Sequence, residues 1–407
     1  MIDKNFPGRG RVAILHTQPE TVLDDYQRLL KLADYEASLP KDKETLLKIN
    51  ISWQQWYPAC STAPWQLEGV VRSLVEDGYE NLTAAHNRTV VVDAYVGERN
   101  NKHKLVTDKY GLKNIHLYEP EVEWVTYEPQ TPMLVLDKVY PEGIKVPGYF
   151  FDKNIIQLPT VKTHVFTTIT GAMKNAFGGL LSERRHWTHA VIHETVVDLL
   201  AIQQEIHSGL FAVMDGTFVG DGPGPRSMWV QEKDLILASA DQVAIDAVSA
   251  YLQGFEPMEL KFIRLGHERG LGTGDIKEIE VVGDVDPDEV RWHARTGETF
   301  ASRGQKMIYH GPLKPFENVL LRTPIVPWSY AASRGYYDGF WYPFIGNKRV
   351  QEALQTKWGQ LFAEYGNVPA VTSPLYEPKT AAAAGVLGVA ASALALWWLL
   401  GKSKKDR

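Results

Sequence analysis

The sequence predicts an α/β fold, a mostly parallel sheet flanked by helices, followed by an aromatic-rich C-terminal region and one C-terminal transmembrane helix. Three observations carry this. Short apolar runs alternate with amphipathic stretches up to residue 284. The segment WSYAASRGYYDGFWYPF (328–344) is crowded with aromatic rings. The segment AAAAGVLGVAASALALWWLLG (381–401) carries no charge.

RVAILH (11–16) reads as a strand, and 19–39 as a helix with Val22, Tyr26, Leu29, Leu30 and Ala33 on one stripe. TLLKINIS (45–52) is a second strand. In TAPWQLEGVVRSLVEDG, Ser61 or Thr62 caps a helix, Pro64 suits its first turn and Gly78 ends it. TVVVDAYV (89–96) reads as a third strand, 102–110 as a helix, and MLVLDKV (133–139) as another strand. NIIQLPTVKTH (154–164) continues the alternation, followed by a helix-like TGAMKNAFG and a helix from about His189 to Ile206. LFAVMDG (210–216), DLILASA (234–240) and IKEIEVVG (276–283) are strands; 241–254 and 257–269 are helices. The expected organisation is an α/β domain over 1–284, an aromatic-rich region over 285–366, a linker over 367–380, the membrane helix over 381–401 and a basic tail over 402–407. The aromatic run has two readings: its rings cover the sheet, or they form an interfacial belt on a bilayer.

A net charge of -6 argues against a general nucleic-acid binder, which would show a basic stripe. The single cysteine, Cys60, cannot close an internal disulfide or hold an iron–sulfur cluster, and it reads as a small buried thiol. No basic segment followed by an apolar run opens the chain, so no signal peptide is read. A helix over 381–401 would span roughly 30 Å, with Trp397 and Trp398 near one interface and KSKKDR beyond. The expected placement is a single-pass C-terminal membrane anchor with the globular part cytoplasmic. An Ala-rich helix docked on the protein is the competing reading.

The chemistry concentrates in PTVKTHVFTTITGAMKNAFGG (159–179). Strand alternation turns Lys162 and His164 to one side, while helical spacing puts Thr170 and Lys174 on one face beside Asn175. Ligands of open α/β sheets bind outside the carboxyl ends of the strands, and lysines there favour carboxylate or phosphate. Solvated lysines and a half-buried His164 are the bland alternative. In RRHWTHAVIHE, His186, His189 and His193 fall at spacings of three and four, so one helical face could carry a divalent metal; the stripe continues as core through Val196, Val197 and Leu200. VMDGTFVGDGPGP places Asp215 and Asp221 around a strand end and a Gly/Pro loop. Asp215 could act as a base, a metal ligand or a partner of Lys162; turn chemistry is the alternative. Asp246, on an apolar helix, needs a partner or a pocket.

In this order LLKINIS with STAPW, NIIQLPTVKTH, TGAMKNAFGG, VMDGTFVGDGPGP, ASADQVAIDAVSAYLQG and RGLG before IEVVGD resemble the family catalogued as domain of unknown function 362, over residues 45–284. Where that family usually has Lys-Pro-Asn, this chain has Lys48-Ile49-Asn50. The resemblance implies an α/β fold and a pocket near these motifs, with no established reaction. Some relatives carry ferredoxin-like segments, which one cysteine cannot supply.

The functional expectation is a membrane-tethered protein acting on a small anionic or lipid-linked substrate. His164 and Asp215 would transfer protons; Lys48, Asn50, Lys162, Lys174, Asn175, Asp221 and Asp246 would line the substrate pocket. The alternative is a non-catalytic binding or scaffold module anchored by the same tail.

Overall fold

A computed structural model describes residues 5–87, 92–317 and 333–368. Among the described residues twelve strands are formed: β1 (Arg11–His16), β2 (Thr45–Ile49), β3 (Leu82–His86), β4 (Lys113–His116), β5 (Trp124–Tyr127), β6 (Ile144–Pro147), β7 (Asn154–Leu158), β8 (Thr160–His164), β9 (Thr168–Ile169), β10 (Gly209–Asp221), β11 (Trp229–Ser239) and β12 (Glu280–Gly283). The main sheet runs β12-β1-β11-β10-β7-β2-β3-β4. β10, β7, β2, β3 and β4 pair in parallel, as do β1 and β12. β11 runs against both β1 and β10. β8 joins the side of β10, and β5 and β6 form a separate ribbon.

Burial on both faces explains why the parallel strands read as continuous apolar runs. Residues alternate between two cores: Leu46, Ile155 and Ala212 pack with helices Ile192–Ile206 and Gln242–Leu252, while Leu47, Ile156 and Val213 pack with helices Val22–Leu32 and Pro64–Glu76. The C-terminal region closes the second face. Trp341, Val350, Trp358 and Phe362 are buried in it, and Trp358 Nε1 donates to Asp234 at 2.6 Å. Asp338 fastens the same region to the loop after β2, accepting from Trp53 Nε1 at 2.6 Å and Gln54 Nε2 at 2.8 Å. The described part of the aromatic segment therefore covers the sheet, with Phe340 and Phe344 left outside.

Several expectations change. The third strand is Leu82–His86; of the strand expected over 89–96, residues 89–91 lie outside the described residues, and Asp93 caps the helix Ala94–Asn100 by accepting from Val96 N. The 133–139 segment is a loop and a turn of helix, because the Asp198 carboxylate takes the N–H groups of Leu134, Val135 and Leu136 and denies them to a ladder. The 210–216 strand continues to Asp221, because β11 pairs with it as far as Trp229. The long helix starts at Ile192, after a 3₁₀ stretch, Glu183–Val191.

The membrane expectation is withdrawn. Among the described residues no helix is long and apolar enough to cross a membrane. The segment on which the anchor rested, 381–401 with Trp397 and Trp398, lies outside the described residues, as does the basic tail.

Candidate functional site

β2, β3, β4 and β7 end side by side at Ile49, His86, His116 and Leu158. β8 starts two residues after β7, and its chain continues through Gly171 into the short helix Ala172–Asn175. That helix is seated by Asp246. Its carboxylate accepts from Ala172 N at 2.6 Å and Met173 N at 3.1 Å. A Cβ on Gly171 would lie 2.0 Å from Asp246 Oδ1, so the acid can approach only because residue 171 is glycine. Asn175 completes the seat, its Nδ2 donating to the Lys48 carbonyl at 3.0 Å and to Gln157 Oε1 at 2.9 Å.

This scaffold gathers cations. Lys48 is 1% exposed and Lys162 0%, and Lys174 is half-buried. Lys48 Nζ donates to the Ile49 carbonyl at 2.7 Å; a Cβ on Gly179 would come within 2.7 Å of its Cε. Lys162 Nζ donates to the Cys60 carbonyl at 3.0 Å and Thr160 Oγ1 at 2.6 Å. Lys174 lies over the Phe177 ring. No carboxylate side chain among the described residues pairs with any of these three lysines. Burial, and then the charge of Arg185, pushes Lys48 down to about 7. Burial, Lys162 and Arg185 push Lys174 down to about 7. Burial pushes Lys162 down to about 8.

His164 sits beside them. The Phe166 N–H donates to its Nδ1 at 3.1 Å, and the Thr167 N–H approaches the same atom at 3.4 Å. Nδ1 is thus the acceptor, so the neutral ring carries its proton on Nε2. Burial, then the charges of Lys174, His189 and Lys162, hold it well below the usual histidine range and keep it neutral. A neutral Nε2–H is a hydrogen-bond donor, suited to an oxyanion rather than to taking a proton.

Of the acids expected at the site, Asp246 seats the helix, and Asp215 and Asp221 have partners of their own. Asp215 lies on the face of the second core, opposite Lys48, where its carboxylate accepts from Tyr26 OH at 2.7 Å, Trp65 Nε1 at 2.9 Å and Thr217 Oγ1 at 2.8 Å. It borders a small cavity with Trp56, Trp65, Ser61 and Thr160, and burial pushes it up to about 6. Asp221 is committed to Arg295, whose Nε lies 3.0 Å away, and to Gln231. Asn50 accepts from Ser52 Oγ at 2.7 Å through its side chain, within the loop after β2. Cys60 is buried, and burial pushes its thiol up to about 11.

The histidine triplet does not converge. His189 Nδ1 lies 3.1 Å from the His186 carbonyl and its ring stacks on Tyr309 at 5.6 Å, while His193 packs against Phe262. Among the described residues no group of three or more His, Cys, Asp or Glu is placed to hold a metal ion. His189 lies on the 3₁₀ stretch Glu183–Val191 and His193 on the α-helix that follows, so their spacing of four crosses a change of helix type and does not give a shared face.

Sequence reasoning missed four contributors: Arg185, and a cluster of His86, Glu98 and His116. The histidines end β3 and β4 opposite each other, and their Nε2 atoms lie 3.4 and 3.5 Å from Glu98 Oε2. A strand-terminal histidine after an apolar run, as at His164, was the available signal. It was lost when the third strand was placed one element late.

A family model described as "Domain of unknown function (DUF362)" matches residues 45–251, half of the chain. No curated protein and no solved structure matches the chain.

Proposed function

The chain belongs to the DUF362 family, and from the geometry of the carboxyl edge we propose that it is an enzyme binding a small anionic substrate there. The single observation that carries this is that Lys48 and Lys162, both buried, and the half-buried Lys174 have no carboxylate partner among the described residues. A buried charge without a counter-charge is destabilising, and a fold that buries two such lysines near a third leaves an anion-shaped deficit. Arg185 adds a fourth cation within electrostatic range of Lys48 and Lys174.

The chemistry such a site supplies is stabilisation of negative charge on a substrate oxygen by preorganised donors. The lysines hold the anion, and His164 Nε2–H donates to it. Asn175 and Asp246 position the helix that bears Lys174 and do not touch substrate. Asp215, saturated by its own donors, is assigned no proton transfer here.

Calorimetric titration of the full chain with inorganic phosphate, sulfate and citrate at pH 7 tests this. Binding of at least one anion is expected, weakened about tenfold or more by Lys162→Met or Lys174→Met, the loss of one charged hydrogen bond. Absence of binding by the wild-type protein, or unchanged affinity in both variants, would sink the reading.

A further inference from the structure

The three lysines differ in what holds their protons. Lys162 Nζ has two acceptors, the Cys60 carbonyl and Thr160 Oγ1, and Lys48 Nζ has one, the Ile49 carbonyl. Lys174 Nζ has no hydrogen-bond acceptor among the described residues. An ammonium group brings three N–H donors and no acceptor, so each unmet donor weighs against the charged form. The surroundings weigh the same way: burial, Lys162 and Arg185 push Lys174 down to about 7. An ordinary lysine is almost wholly charged at neutral pH, whereas this one is a free amine in about half of the molecules.

What surrounds this amine is aromatic and fixed. Its Nζ lies 5.6 Å from the centroid of the Phe177 ring. Phe177 meets His189 edge-on at 5.5 Å; His189 also meets Phe166 at 5.4 Å and stacks on Tyr309 at 5.6 Å. Phe166 in turn lies 5.9 Å from His164, so Lys174 and His164 are linked through one aromatic wall. Lys174, Phe166 and His189 are half-buried, so the wall is open to solvent in part. The helix Ala172–Asn175 that carries Lys174 is clamped by Asp246, which fixes where the side chain starts. Lys48 and Lys162, 1% and 0% exposed, are shielded from any molecule arriving there.

We propose that Lys174 is a nucleophile toward the carbonyl carbon of an oxo acid, a small aldehyde or ketone bearing a carboxylate, and joins it as an imine. The proposal rests on the anion-binding reading above, with Lys162 and Arg185 as the counter-charge for the carboxylate. The Nζ lone pair forms the new bond to carbon. Both bonds between that carbon and its oxygen give way, and the oxygen leaves as water with the two amine hydrogens. Nothing is oxidised or reduced. His164 Nε2–H donates to the carbonyl oxygen as it takes up charge. A desolvated lysine beside other cations is the setting in which its amine becomes nucleophilic.

The test is reductive trapping on the full wild-type chain: glyoxylate, a small anionic aldehyde, with cyanoborohydride at pH 7, followed by peptide mapping in the mass spectrometer. Lys174 is expected to carry the reduced adduct at least about tenfold above any other lysine, because its uncharged fraction is far larger than that of a surface lysine. Acetaldehyde, of like size but uncharged, should label it about tenfold less, and phosphate added with glyoxylate should suppress the label. An adduct spread evenly over the lysines, or absent from Lys174, while phosphate still binds overturns this inference alone. No label on Lys174 and no phosphate bound overturns the anion reading as well. Equal labelling by the two aldehydes, or a label that phosphate leaves untouched, overturns the oxo-acid class. Lys174→Arg keeps a cation without a nucleophilic amine and should lose the adduct; an unchanged total yield in that variant overturns the assignment. The mapping on the wild-type chain decides the matter if the variant does not fold.

Discussion

Asp246 and Lys48 are both buried near the carboxyl ends of the same strands, yet they are treated differently. Asp246 accepts two backbone N–H groups, and Asp241, at the start of the same helix, accepts four, from Val243, Ala244, Gly10 and Thr273. Asp198 takes three N–H groups, and Asp215 a tyrosine, a tryptophan and a threonine. Lys48 donates once, to its own neighbour's carbonyl, and faces Arg185. Lys174 lies against a phenyl ring. The difference teaches which charges belong to the architecture. Acids that clamp loops and helix ends are satisfied by the chain itself; the lysines have no carboxylate partner among the described residues, which is what the proposed anion would supply.

The largest expected effect breaks the acid side. Asp246→Ala strands the N–H groups of Ala172 and Met173 in an apolar setting, and should lower stability by about 3 kcal/mol in urea unfolding. A loss under about 1 kcal/mol would mean the clamp is not structural. The lysine side should respond oppositely. Without ligand, Lys48→Met is expected to leave stability unchanged or raise it by about 1–2 kcal/mol, since an apolar side chain replaces an uncompensated buried charge. A loss as large as that of Asp246→Ala would erase the distinction.

The pH dependence sharpens the same contrast. Asp215 is raised to about 6 and Asp246 to about 7, so their contribution is fully present below the unfolded carboxyl pKa and is lost as pH climbs to about 7. Lys48 and Lys174, lowered to about 7, and Lys162, lowered to about 8, bind fewer protons folded than unfolded above those values. Their contribution therefore rises between about 7 and the unfolded lysine value. The contribution of this set to ligand-free stability is lowest near pH 7. Urea midpoints measured from pH 5 to pH 10 should show that minimum, with a shallower alkaline rise in Lys48→Met; a monotonic profile from these groups would contradict the assignment. The smallest effect concerns Cys60, whose carbonyl, not thiol, receives Lys162. Cys60→Ala should change stability by only about 1 kcal/mol and leave phosphate affinity as it was; a tenfold loss of affinity would give the thiol a role it is denied here.

Much of the fold was legible because apolar alternation reports burial directly. β1, β2, β7 and β8 lie where their runs of apolar residues predicted them, and Gly78, at φ +84, ends its helix as expected. The errors share one cause. MLVLDKV is apolar enough for a strand, but Asp198, more than sixty residues away, takes the N–H groups a strand would need. Spacing along a helix predicted that His186, His189 and His193 would meet, but the helix changes from 3₁₀ to α between His189 and His193, and their rings pack against Tyr309 and Phe262. The polar stretch 159–179 was readable as a strand-to-helix edge, whereas Arg185 and His86 come to that edge from other segments.

By itself, then, the sequence determined the layered α/β alternation, the lysines of the strand-to-helix edge and the single buried thiol, since each follows from local pattern or composition. Only the tertiary structure decided which buried charges are satisfied. Asp215, Asp221 and Asp246 read like site residues until their distant donors are seen; His86 reads like a core residue until its Nδ1 is found without a hydrogen-bond partner among the described residues. Hydrogen-bond satisfaction depends on groups far apart in the chain, and no local pattern encodes it.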